Sequence, residues 1–196
     1  MAKHTKKDIL FTAKTLFNTY GYNQVSLRDI ADVLQISVGN LTYHFKRKED
    51  IIESLIIDHY QNQKPFKAPQ TFKELQSFFE IIEDHHGDSA YYYRHFRQLS
   101  RLSENIHNIQ VDIQKSIYLA FHESFYIFQE KGYFKKEQHQ NQYDSLIQMI
   151  MANNIFGAPY TGNFINEDLI AMYWDVLHLI FTDKGKQEYQ KEILTM

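Results

Sequence analysis

The residues that could do chemistry here are mostly cations and amides, and nucleophiles are few. Lys46-Arg47-Lys48 places three cations side by side, a charge pattern suited to phosphates. Arg94, Arg97 and Arg101 fall at i, i+3 and i+7, one face of a helix, where three guanidiniums could hold a carboxylate or phosphate head group. A solvated or acid-paired stripe is the plainer reading of the same spacing. The ten histidines raise the question of a metal, but no His-x₃-His pair occurs and cysteine is absent, so no metal site is expected. No nucleophile elbow and no phosphate loop is present, so neither an enzyme nor a cofactor is expected.

The elements that must position these groups are helical. Ile9, Leu10, Ala13, Leu16, Phe17 and Tyr20 form one apolar stripe, closed by Gly21. A short helix follows from about Leu27 to Leu34, capped by Ser26 and turning Ile30, Ala31 and Leu34 inward. Another carries Val38 to Phe45 behind Ser37. A fourth starts near Lys48 and buries Ile51, Ile52, Leu55 and Ile56. Lys64-Pro-Phe-Lys-Ala-Pro69, with two prolines, is the best domain boundary. Five more helices are expected beyond it. They comprise one marked by Phe72, Leu75, Phe78, Phe79 and Ile82, then about Ser89–Arg101, Glu104–Lys131, Glu137–Phe156 and Asn166–Thr182.

The 196 residues, 43% of them hydrophobic, suffice for a sizeable core. Net charge is −3, yet residues 1–50 hold eight Lys/Arg against five acids, so the basic excess lies at one end. There is no run of about 18 apolar residues, and the basic start lacks the apolar stretch of a signal peptide. With no cysteine, a cytoplasmic setting is the expectation.

Two short capped helices joined by about three residues let the second project while the first braces it. A major groove admits such a helix, and its first side chains then reach base edges. The stretch resembles the tetracycline-repressor (TetR) family over about residues 5–56, in order and register. The matching residues are Gly21-Tyr22, Ser26-Leu-Arg28-Asp-Ile30-Ala31, Ser37-Val-Gly39-Asn-Leu41-Thr-Tyr-His44-Phe45 and Lys48-Glu49. It departs at Gln35, where the family's turn carries Gly, and at Thr42, where the family favours Tyr.

The resemblance implies an all-α protein of about nine helices. Residues 1–50 would be a three-helix helix-turn-helix DNA-binding domain, 51–64 a linking helix, and 65–196 a helical ligand-binding and dimerisation domain. Arg28, Val38, Gly39, Asn40, Thr42 and Tyr43 become candidates for the base edges, and His44, Lys46 and Lys48 for phosphates. Asn40 is the sharpest, because an amide pairs bidentately with adenine. The helices at about 137–156 and 166–182 would pair with a second copy, the latter being apolar nearly all round. A small apolar or amphipathic ligand, such as an acyl group or acyl thioester, is expected near Tyr93, Arg94, Phe96, Arg97, Arg101, Phe121 and Phe125. The function implied is a ligand-responsive transcriptional regulator, most simply a repressor, that binds a pseudo-palindromic DNA operator as a homodimer. The alternative is a helical ligand-binding or protein-interaction module that no longer binds DNA specifically.

Overall fold

The structure is a computed structural model that describes residues 5–61, 65–83, 91–92, 95–156 and 168–195. Among these residues there are ten α-helices and no strand. In chain order they are α1 (Lys6–Tyr20), α2 (Leu27–Val33), α3 (Val38–His44), α4 (Lys48–Gln61), α5 (Phe72–Ile82), α6 (Phe96–Leu99), α7 (Glu104–Glu130), α8 (Gln142–Phe156), α9 (Leu169–His178) and α10 (Asp183–Tyr189). A 3₁₀ turn, Tyr22–Gln24, links α1 to α2. The chain divides into two compact units: Met1–Lys64 with His85–Asp112, and Pro65–Asp84 with Ile113–Met196.

In the first unit α1 begins at a capping box, in which Asp8 N–H donates to Thr5 Oγ1 and the Thr5 N–H to the Asp8 carboxylate. Ile9, Ala13 and Phe17 are buried as the stripe requires. Tyr20 is 62% exposed instead, because the stripe has rotated off the core by the last turn. Gly21 adopts φ +83° and donates to the Phe17 carbonyl, the expected helix stop. Ile51, Ile52, Leu55 and Ile56 of α4 are buried in the same core.

The segment after residue 90 packs with this unit. Tyr91, Tyr92, Leu99 and Ile106 join its core, Asn18 Oδ1 accepts from Tyr91 N–H at 2.9 Å, and Asn23 and Gln98 exchange amide hydrogen bonds. Asn105 donates to Glu53 at 2.8 Å. These links span 52 to 75 residues of sequence, so no local pattern announces them.

The second unit is built on aromatic rings. Phe72, Leu75, Phe78, Phe79 and Ile82 give α5 a continuous buried face behind a Thr71 cap. Helix α7 stops at Gly132, φ +73°. The chain then makes a two-residue antiparallel bridge, in which Lys135 N–H donates to Ile180 O at 2.7 Å and Thr182 N–H to Tyr133 O at 2.9 Å. Asn154 of α8 donates to Ile82 O at 2.6 Å and to Glu83, and Tyr173 of α9 donates to the same carboxylate. This polar junction ties α5, α8 and α9 together. Burial, and then the Glu83 carboxylate, push the Tyr173 phenol far up, so it stays a donor.

Two expectations change. The last apolar run ends as a helix at His178, and α10 follows it, where none was expected. Its sequence, DKGKQEY, contains an interior Gly and little apolar patterning. It forms because Thr182 caps it and Tyr189 packs on Trp174 and Phe181, with ring centroids 4.8 and 5.6 Å away.

Candidate nucleic-acid interface

Ser26 starts α2 through a second capping box with Asp29. The two hydrogen bonds from Ser26 hold the Asp29 carboxyl below the ordinary carboxylate range. Ile30 and Ala31 anchor α2 in the core, leaving Arg28 exposed. The turn closes through Gln35 N–H to Asp32 O and Ile36 N–H to Ala31 O. It needs a left-handed residue, and Gln35 takes that place at φ +55°. A side chain there costs on the order of 1 kcal/mol.

Ser37 Oγ accepts from Asn40 N–H at 3.1 Å and starts α3. Leu41, fully buried, and Phe45, 3% exposed, hold α3 against the first unit's core. That anchoring leaves Val38, Gly39, Asn40 and Tyr43 exposed, Tyr43 at 85%. The Tyr43 ring meets His44 edge-on at 5.3 Å. Thr42 is half-buried and donates to Gly39 O at 3.2 Å, so in this state its hydroxyl proton is engaged within the helix. The structure therefore brings the predicted base-reading residues together on α3, with Arg28 on the helix before it.

The cations divide. Lys46 is exposed. Arg47 pairs with Asp50 at 3.1 Å, and its N–H donates to the same carboxylate at 3.0 Å. Lys48 turns inward to the carbonyls of Tyr22 and Val25. Another of the eight cations of residues 1–50 lies beside the end of α3: Lys6 Nζ is 5.2 Å from the Phe45 ring centroid. Nothing local signals this, since 39 positions separate the two residues.

Of the predicted ligand residues, Phe96, Arg97 and Arg101 belong to the first unit and Phe121 and Phe125 to the second. Tyr93 and Arg94 lie outside the described residues. Phe96 packs against the first unit's core, while Arg97 and Arg101 are exposed. Helix α6 covers only Phe96–Leu99, too short to carry one face from Arg97 to Arg101. Phe121 and Phe125 are fully buried in the second unit, against Phe78 at 4.8 Å and Phe134 at 5.3 Å respectively. A cleft of about 430 Å³ in the second unit lies elsewhere, with Lys73, Gln76, Ile170, Trp174, Glu192 and Ile193 in its wall. Among the described residues no cluster could hold a metal ion, and no helix is long and apolar enough to cross a membrane.

Comparison with known proteins agrees with this geometry. Residues 9–55 match the family described as bacterial regulatory proteins, tetR family. The HTH-type transcriptional regulator QacR of Staphylococcus aureus is 36% identical over 90 residues, which cover 45% of this chain and 48% of that protein. The icaADBC negative transcriptional regulator IcaR of the same species is 30% identical over 126 residues, covering 57% of this chain and 64% of IcaR. The probable regulator YttP of Bacillus subtilis is 30% identical over 102 residues, or 52% and 49% of the two chains, so the chain spans about half the length of the curated relatives it matches. A TetR-family regulator from Marinobacter aquaeolei VT8 shares the fold at a TM-score of 0.76 and 18% identity, covering 94% of both chains. Residues 9–55 therefore resemble the tetR family of bacterial regulatory proteins, and the chain as a whole shares the fold of a TetR-family regulator.

Proposed function

We propose that this protein is a ligand-responsive, DNA-binding transcriptional regulator, a repressor, acting as a homodimer on a pseudo-palindromic operator. One observation carries the reading: α3 is anchored by Leu41 and Phe45 while Val38, Gly39, Asn40 and Tyr43 stand exposed on it. Such a helix enters a major groove with its first turns. Arg28, Val38, Gly39, Asn40, Thr42 and Tyr43 then face base edges, and His44 and Lys46 lie beside phosphates. In this reading residues 1–50 hold the DNA and 65–196 carry ligand and dimer contacts. Met149 on α8 and Leu179 after α9 support a second copy, being 61% and 72% exposed. A small apolar or amphipathic ligand that favours one spacing of the two α3 helices over another would control operator binding.

The roles separate in titrations against a DNA duplex selected by the wild-type protein. Asn40→Ala is expected to lose about 1–3 kcal/mol of discrimination at one base pair. Lys46→Ala is expected to weaken all sequences alike and to lower the salt slope by about one. If both substitutions weaken all duplexes equally, the division between base and phosphate contacts is wrong.

A further inference from the structure

Lys46-Arg47-Lys48 reads in the sequence as a single phosphate-binding tract, but its last member is used differently. Lys48 Nζ donates to Tyr22 O at 2.7 Å and to Val25 O at 2.8 Å, and it lies 4.2 Å from the centroid of the Tyr22 ring. Tyr22 and Val25 are themselves buried, at 2% and 3% exposure. Their carbonyls belong to the 3₁₀ turn between α1 and α2 and to the residue that ends it, one position before the Ser26 cap. Lys48 opens α4, three positions after Phe45, the residue that ends α3. The ammonium thus joins the exit of α3 to the entry of α2.

A second tie lies beside it, since the Tyr22 hydroxyl donates to Glu49 at 3.4 Å. Burial pulls the Lys48 ammonium below the usual lysine range, opposed by the nearby Glu49 and Asp29 carboxylates. To reach a phosphate, the side chain would have to break two charge-assisted hydrogen bonds and leave both carbonyls without that donor.

We infer that Lys48 is a positioning residue: its ammonium clamps the α1–α2 connection to the start of α4 and so sets the angle at which α3 is presented to DNA, without binding a phosphate through its side chain. This rests on the DNA-binding reading above.

Two measurements test it. In the DNA-free full chain, ¹⁵N-edited spectra of the lysine ammonium groups should show one resonance whose protons exchange slowly with water, absent from Lys48→Met. The absence of such a resonance overturns the clamp, whatever the protein does with DNA. The second measurement titrates Lys48→Met, shown to be folded by circular dichroism, across a salt series. Its target is a duplex that the wild-type protein selects from a random pool. Affinity should fall about tenfold, the equivalent of one charge-assisted hydrogen bond, with the salt slope unchanged. Lys46→Ala should lower that slope by about one. A Lys48→Met slope lowered by about one would make Lys48 a phosphate ligand. Wild-type affinity in Lys48→Met would reduce it to a stabilising contact, and either result overturns the inference. If the wild-type protein selects no duplex, the DNA-binding reading fails instead, and the resonance alone decides the clamp.

Discussion

Phe72→Ala should lower the unfolding free energy of the second unit by about 3–5 kcal/mol, the range for removing a fully buried aromatic side chain. Phe72 has no exposed surface and sits where several elements converge. Its ring centroid lies 5.0 Å from Phe128, 5.1 Å from Phe181, 5.8 Å from Tyr189 and 5.9 Å from Trp174. Those partners come from α7, the bridge after α9, α10 and α9. Truncation therefore opens a cavity in which no single helix can collapse. Urea melts followed by tryptophan fluorescence report directly, since Trp174 is the only tryptophan and lies in this cluster. A loss under about 1 kcal/mol would mean that the rings repack around the gap.

Gly185→Ala should destabilise the same unit by about 1–3 kcal/mol or more, although alanine ordinarily favours a helix over glycine by roughly 1 kcal/mol. A Cβ on residue 185 would stand 2.2 Å from the Tyr133 carbonyl oxygen and 2.9 Å from its carbon. That carbonyl cannot swing aside, because it accepts from Thr182 N–H at 2.9 Å and from Thr182 Oγ1 at 3.1 Å. The Thr182 hydroxyl also donates to Gly132 O at 2.6 Å and caps α10 through Gly185 N–H. Gly39→Ala is the control, since its Cβ would meet only Ser37 Oγ at 3.8 Å. It should gain up to about 1 kcal/mol in thermal melts. Equal melting temperatures for Gly185→Ala and wild type would show that the close approach is not maintained in solution.

Most of what the sequence made legible was local. The α1 stripe, the Gly21 stop and the Ser26 and Ser37 caps all express contacts between residues a turn apart, which pattern alone reveals. So did the candidate interface: a buried Leu41 and Phe45 dictate which α3 positions remain outside. What escaped was set at a distance. Lys48 is turned inward by carbonyls 23 and 26 residues away, and Tyr91 is tied to Asn18 across 73 residues. Helix α10 lacks an apolar stripe and forms on a surface supplied by Trp174 and Phe181. The surroundings of the ligand candidates are likewise set at a distance. Aromatic density shows that rings pack together, but whether they close on each other or line a cavity depends on their neighbours. Phe121 and Phe125 close on each other at 6.2 Å.

The most direct test of DNA reading by α3 is selection by the full chain from a random duplex pool at low salt. The account predicts an enriched inverted repeat, its half-sites about one helical turn or a multiple apart, with Asn40→Ala losing preference at one position in each half. If no sequence is enriched over the starting pool, with or without added ligands, the account is contradicted, and the fold serves some purpose other than reading DNA.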